Sequence, residues 1–317
     1  MNPLDFTRTA TCTLIEPIPA AATKRKPIAT GNLLIHGDNI AAMQKLITEH
    51  GLKGGVDLIY IDPPFATNTT FSVSAGRAST ISRARDGEIA YADTLTGPEF
   101  LSFLRDRLVL LHALLSERGS IYLHIDYKIG HYVKVLMDEV IGAENFRNDI
   151  TRIKCNPKNF ARRAYGNTKD MILFYSKGAA PIRNDPRDPF ADGDIARLYP
   201  KIDADGRRYT TIPLHAPGET MKGATSQPFK GLNPPAGRHW RTGVETLEER
   251  DRQGLIEWSR NGVPRKRKYA EEQDGKRMQD VWTFKDPQCP SYPTEKNAAL
   301  LDHIVRASSA PDSIVLD

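Results

Sequence analysis

Cysteine is scarce in this sequence: three residues, Cys12, Cys155 and Cys289, in a chain of 317. They lie far apart and form no Cys-x-x-Cys pair. That argues against a disulfide framework and a zinc finger, and it fits a reducing cytoplasm. Long apolar runs are missing too. None reaches the roughly 18 residues that a membrane helix needs. Met1 to Pro27 lacks the compact apolar stretch of a signal peptide. No internal repeat is present. These absences predict a cytoplasmic chain with no membrane partner and no metal centre.

What remains is an ordinary globular composition, 39% hydrophobic and 26% charged, long enough for one large domain or two ordinary ones. The net charge of +5 is unevenly placed. Residues 1–150 carry 15 basic and 17 acidic side chains, residues 151–278 carry 26 and 16, and residues 279–317 carry 3 and 6. A basic central block sits between two mildly acidic flanks. Such a block is either a solvated surface or a polyanion-binding insert.

Periodicity divides the chain in the same places. Residues 1–30 form a loose lead-in. Asn32 to His36 reads as a short buried strand, and Ile40, Met43, Leu46 and Ile47 follow at helical spacing. Val56 to Ile61 is a second strand, closed by Asp62-Pro63-Pro64-Phe65. Residues 66–98 read as a long loop, and loops of that length are usually functional. Phe100, Leu104, Leu108, Leu111 and Leu115 mark a helix from Glu99 to Arg118, stopped at Gly119. Ser120 to Ile125 is a third strand, with a helix on Ile129, Tyr132, Val133, Leu136 and Val140 after it. Strand–helix alternation implies a parallel sheet with helices on both faces. Residues 151–278 carry 11 of the 22 prolines, and only Asp170 to Tyr175 reads there as a firm strand. Alternation returns with a helix from Asn297 to Ser308 and a strand beginning at Ser313.

The segment with most chemical content is Leu58 to Phe65. In an open α/β sheet ligands bind beyond the carboxyl ends of strands, and Asp62 stands at such an end. Two prolines stiffen the turn and remove its donors. The Pro63 carbonyl can then point outward as an acceptor. A carboxylate with a carbonyl suits an –NH2 group, and Phe65 offers a face for stacking. Together they fit the exocyclic amine of an unpaired base.

Behind an apolar strand and before an aromatic, this motif resembles the Asp-Pro-Pro-Tyr/Phe signature of DNA amino-methyltransferases. Three further segments extend the resemblance: Asn32 to Leu46, which looks like the strand–GD–helix element of the β class; Gly119 to Asn148, similar to the strand and helix after the catalytic loop; and Tyr292 to Asp317, similar to the Pro-Thr-Gln-Lys-Pro helix and the lead-in to the cofactor loop. The resemblance is greatest to the adenine-specific modification subunits of Type III restriction–modification systems. It implies a Rossmann-like S-adenosylmethionine-dependent methyltransferase sheet in residues 31–150 and 279–317, with an irregular target recognition domain inserted at 151–278.

The same resemblance implies methyl transfer from S-adenosylmethionine to adenine N6 in duplex DNA, with the target base flipped out. Asp62, Pro63, Pro64 and Phe65 would form the catalytic loop. Asp38, Asp62, Pro63, Lys296 and Asp317 would meet the cofactor, with Asp38 also suited to cap the helix that follows it. Arg162, Arg163, Arg207, Arg208, Arg265, Lys266, Arg267 and Lys268 are candidates for DNA phosphate contacts. The alternatives are a DNA-binding fragment without activity alone, and transfer to cytosine N4. A restriction subunit and a homodimer are the implied protein partners. His124 and His131 read as structural histidines, and Tyr122 and Tyr127 as packing residues. The chain departs from the family pattern at Ala66, where Asn is usual, and at Glu295-Lys296-Asn297, where Gln-Lys-Pro is usual. It ends before a Pro-Phe-x-Gly-x-Gly loop, so the sheet is expected to be incomplete, stopping inside the first strand of the cofactor half.

Overall fold

The computed structural model describes residues 32–64, 97–157, 159, 163–191, 193–290 and 295–317, and the backbone of 69–73 and 88–93. Phe65, Arg162 and the lead-in at 1–30 lie outside the described residues. Contacts divide the chain into two compact units, 1–186 with 278–317, and 187–277.

The first unit opens with α1 (Asn39–Thr48), whose N-cap is Asp38. Its carboxylate accepts from the Ala41 amide at 3.0 Å, satisfying one of the donors a helix start leaves bare. The expected strand at 32–36 does not form. Those residues join no ladder and are exposed, Leu34 to 95%. Apolar character alone does not make a strand; the backbone groups need a neighbour to pair with, and among the described residues none is there.

Strand β1 (Val56–Ile61) has Val56, Leu58, Ile59 and Tyr60 buried, as a continuous apolar run in a doubly covered sheet should be. Within the expected long loop, β2 (Thr69–Val73) and β3 (Glu88–Asp93) pair antiparallel. Helix α2 (Gly97–Leu114) then buries Phe100, Leu104, Leu108 and Leu111. It ends four residues earlier than the leucine spacing suggests, because Leu115 already pairs with Val56 as the first residue of β4 (Leu115–Ile125). Gly119 is therefore not a helix stop. It is a close approach inside the strand, where a Cβ would meet the Leu115 side chain at 2.8 Å and the Val56 carbonyl at 2.9 Å. Helix α3 (Gly130–Ile141) leads to β5 (Phe146–Ile153) and β6 (Lys169–Ser176).

The second unit holds β7 (Arg187–Asp188), α4 (Asp194–Leu198), β8 (Lys201–Ile202), β9 (Arg208–Pro213), β10 (His215–Pro217), β11 (Arg238–Trp240), α5 (Val244–Arg252), β12 (Ile256–Trp258), β13 (Pro264–Tyr269) and β14 (Lys276–Arg277). Its sheets are small, the largest running β12-β13-β9-β8. Its core gathers Leu214, Phe229, Trp240, Leu247 and Ile256.

The chain then returns to the first unit with β15 (Val281–Thr283), α6 (Ala298–Ser308) and β16 (Val315–Leu316). The main sheet runs β15-β5-β6-β4-β1-β16. Only β6 runs against the rest, pairing antiparallel with β4 and β5. The sheet is thus mainly parallel rather than wholly so. Helices α1, α2 and α3 pack on one face with Ile121, Leu123 and Leu173. Helix α6 covers the other through Leu300 and Ile304, against Leu58, Tyr122, Ile172 and Phe174. Tyr122 stacks on Phe174 at 4.4 Å and shares a 2.7 Å hydrogen bond with Ser308, which ties α6 to the sheet.

The sequence changes character at about residue 150, yet β5 and β6 lie in the main sheet, and the second compact unit starts only at Arg187. Much of the basic excess goes with them. Residues 151–186 carry 8 basic and 2 acidic side chains, whereas 187–277 carry 18 and 14.

Candidate active site

Strands β1 and β16 lie side by side in parallel, Leu58 opposite Val315 and Ile59 opposite Leu316. From β1 the chain passes through α2, on one face, to β4. It reaches β16 on the other side of β1 through α6, on the opposite face. The carboxyl ends of β1 and β16 therefore flank the point where strand order reverses, which is where open α/β sheets place ligands. Asp62 and Asp317 stand one residue beyond those two ends.

Alternation along β1 puts Asp62 on the face of Leu58 and Tyr60, the face that α6 covers. Lys296, just before α6, forms an ion pair with Asp62 Oδ2, with the two side chains 13% and 24% exposed. The other oxygen, Asp62 Oδ1, is buried and has no hydrogen-bond partner among the described residues. Buried acceptors are rarely left unused, so Oδ1 is open to a further donor. The carboxyl of Asp317 is raised above the ordinary carboxylate range by partial burial and then by the charge of Asp62. Asp62, Lys296 and Asp317, far apart in sequence, thus share one small region. Pro63 and Pro64 follow Asp62, half-buried. Asp38 does not join this group among its recorded contacts. It caps α1 and faces the Arg107 guanidinium at 3.9 Å.

Beneath Asp62 lies a row of polar side chains, of which the sequence singled out His124 alone, as a structural histidine. The Tyr60 hydroxyl and His124 Nδ1 are 2.9 Å apart, and His124 Nε2 is 3.3 Å from Asp170 Oδ2. Lys154 reaches Asp170 Oδ1 at 2.5 Å. Arg152 stands 3.6 Å from Asp170, donates to Asp286 at 2.6 Å, and donates to the Phe284 carbonyl at 2.8 Å. His124, Asp170 and Arg152 are buried almost completely. Burial alone would raise the Asp170 carboxyl, but the His124 hydrogen bond and the Lys154 charge outweigh it and hold it below its ordinary value. An ionised Asp170 can only accept, so His124 Nε2 donates to it, and in that tautomer of the ring Nδ1 accepts from the Tyr60 hydroxyl. Burial and the nearby Asp62 charge push the Tyr60 hydroxyl far above its usual range. The available signal was an Asp in "KDMILFYS" and an Arg in "ITRI": charges inside apolar strands have to find each other.

In the second unit the run 265–268 forms most of strand β13. Successive side chains of a strand point to opposite faces, so Arg265 and Arg267 lie on one and Lys266 and Lys268 on the other. Arg265 donates to Thr211 at 3.0 Å, and Arg267 lies 5.0 Å from the Tyr209 ring centre. Arg207 is occupied: it pairs with Glu271 and stacks 3.7 Å over Tyr269. Arg208 reaches the Tyr199 carbonyl, and Arg163 is exposed. Two arginines outside the sequence-based set complete a positive cluster. Arg238 contacts His215 at 3.2 Å. His215 titrates below its ordinary value because of burial and then the charges of Arg238, Arg241 and Arg265. None of these three arginines makes an ion pair among the described residues. The run "RHWR" at 238–241 was the sequence signal for them.

A mainly parallel sheet, helices on both faces and a buried acceptor at the strand-order reversal define an open-sheet α/β protein with its ligand site at the carboxyl edge. The chain belongs to the DNA methylase family, whose model matches residues 56–317. It is 39% identical over 301 residues to the Type II methyltransferase M.EcaI of Enterobacter cloacae, covering 93% of this chain and 63% of that protein. It is 24% identical to the Type III restriction-modification enzyme StyLTI Mod subunit of Salmonella typhimurium, covering 90% of this chain and 48% of that protein. It is 25% identical to the Type II methyltransferase M.KpnI of Klebsiella pneumoniae, covering 91% and 74%. The chain thus spans less than two thirds of the length of M.EcaI and of the StyLTI Mod subunit.

Proposed function

We propose that the chain carries the catalytic part of a restriction–modification DNA methyltransferase that methylates the N6 amine of adenine in duplex DNA, with S-adenosylmethionine as donor. The observation that carries this reading is Asp62: one oxygen is held by Lys296, and the other is buried with no hydrogen-bond partner among the described residues.

The adenine amine is a poor nucleophile because its lone pair is delocalised into the ring. Asp62 Oδ1 accepts one N–H, and the Pro63 carbonyl, freed from the sheet by the following proline, accepts the other. Both bonds favour a tetrahedral nitrogen with its lone pair released. Asp62 is also the nearest base for the proton the methylated amine must lose. Phe65 supplies a stacking face, worth roughly 1–3 kcal/mol against the few kcal/mol that extruding a paired base costs.

The residues present suit the donor. Its methionine end carries an ammonium and a carboxylate, matching Asp317 and Lys296, and Asp38 keeps one carboxylate oxygen clear of the helix cap for an adenine amine. When bound, S-adenosylmethionine supplies a methyl group on a positively charged sulfur. Residues 187–277 form the target recognition domain. Relatives in Type II and Type III systems make a restriction enzyme the natural functional partner, and a homodimer is a further expected state.

Asp62→Ala should abolish transfer of tritiated methyl groups while leaving DNA affinity within about twofold, since one lost contact of many leaves the phosphate contribution intact. A large loss of DNA binding would contradict the role. Nucleoside analysis of the product decides the base, and N4-methylcytosine would overturn adenine.

A further inference from the structure

We propose that Tyr60, His124 and Asp170 are positioning residues for the methyl-accepting site, holding the carboxyl end of β1 so that Asp62 keeps Oδ1 turned toward the base. The inference rests on the methyl-transfer reading above and deepens it.

The row follows the carboxyl edge of the sheet. Tyr60 is the penultimate residue of β1, His124 of β4 and Arg152 of β5, and Asp170 is the second residue of the reversed strand β6. Tyr60 pairs with Tyr122 and Ile61 with Leu123, so the register continued by one residue sets Asp62 beside His124. Asp170 is the cross-strand partner of Arg152. Four neighbouring strands are thus joined by side chains directly under the rim where Asp62 stands.

Stability is a poor reason for this row. A buried charge network is commonly no better than apolar side chains of the same size, and the same face a step deeper is filled by Leu58, Tyr122 and Ile172. What a fully hydrogen-bonded network does supply is a single fixed arrangement. Asp62 needs that. Lys296 restrains Oδ2, but among the described residues nothing holds Oδ1, so its direction depends on the backbone of β1 beneath it. His124 has a partner at each ring nitrogen and links the Tyr60 hydroxyl to the charges on β5 and β6.

The test uses the full-length protein and five variants: Tyr60→Phe, Asp170→Asn, the double of these two, His124→Gln and His124→Leu. Tyr60→Phe deletes one hydroxyl and keeps the ring, so it stays folded even where Asp170→Asn does not. The expected result is a kcat lowered by roughly 10- to 100-fold, the scale of a catalytic group displaced by about an ångström. The Kd for S-adenosylmethionine and for DNA stays unchanged. The double variant falls no further than the worse single one, because residues acting as a unit are not additive. His124→Gln, which retains an acceptor and a donor, recovers part of the rate that His124→Leu loses. A purely structural row would lower Tm without this kcat split. Tyr60→Phe with wild-type kcat, or losses that simply multiply, overturns the inference and leaves the methyl-transfer reading standing. A wild-type protein that transfers no methyl group overturns both.

Discussion

Asp38 uses one carboxylate oxygen on the Ala41 amide and turns the other toward Arg107. Capping and ligand binding are therefore compatible in one side chain, and substitution can separate them. Asp38→Ala removes the cap and should cost about 0.5–2 kcal/mol of stability. Asn caps nearly as well as Asp, so Asp38→Asn should hold Tm while exchanging an acceptor for a donor. Weaker S-adenosylmethionine binding in both variants, by calorimetry, assigns Asp38 to the cofactor; wild-type affinity in Asp38→Asn removes it. Asp62 was legible at this scale because its motif is local. His124 was not. Read alone, a histidine at a strand end is ordinary, and its importance comes from Tyr60 and Asp170, which are 64 and 46 residues away.

Strand β13 shows why a charge run is a weak guide to a binding surface. Four cations in a row suggest one patch, but pleating sends them to two faces. The cluster around His215 is assembled instead from β10, β11 and β13, with Arg238, Arg241 and Arg265 all free of ion pairs among the described residues. If these contact phosphates, the plot of log affinity for DNA against log salt should lose about 0.9 of slope for each one removed. Arg238→Ala with Arg241→Ala should therefore flatten it by about two. Arg207→Ala should change it little, since Glu271 already neutralises that guanidinium. Equal slopes in the first variant and the wild type would exclude the cluster. Other elements followed local signals closely. α3 and α6 lie where their apolar spacing put them, α6 with Asn297 as its cap. Helix α2 ends early and 32–36 stays out of the sheet, because strand pairing decides both and pairing is not a local property.

Protonation acts on the molecule as a whole. His215 and His112 titrate below their ordinary value, both chiefly through burial, and Asp170 is held below its own. As pH falls below about 6.5, the usual histidine value, the unfolded chain takes up protons that the folded histidines refuse. Stability must then decline with falling pH. Asp170 adds a further loss in the acid range, where the unfolded carboxylate protonates first. Tm should hold above neutrality, fall between about pH 6.5 and 5, and fall again below the carboxylate range. A Tm that rises on acidification would contradict these assignments.

Most of the chain's outline was present in its residues. Apolar spacing located the strands and helices around the site, and one proline-stiffened motif located the acceptor, because these depend on neighbours a few positions apart. The sheet order, the reversed β6, the meeting of Asp62 with Lys296 and Asp317, and the row from Tyr60 to Asp286 depend on contacts between distant segments. A single sequence carries those residues without saying which of them touch. Only folding decides it, when burial forces each charge and each backbone group to find its partner.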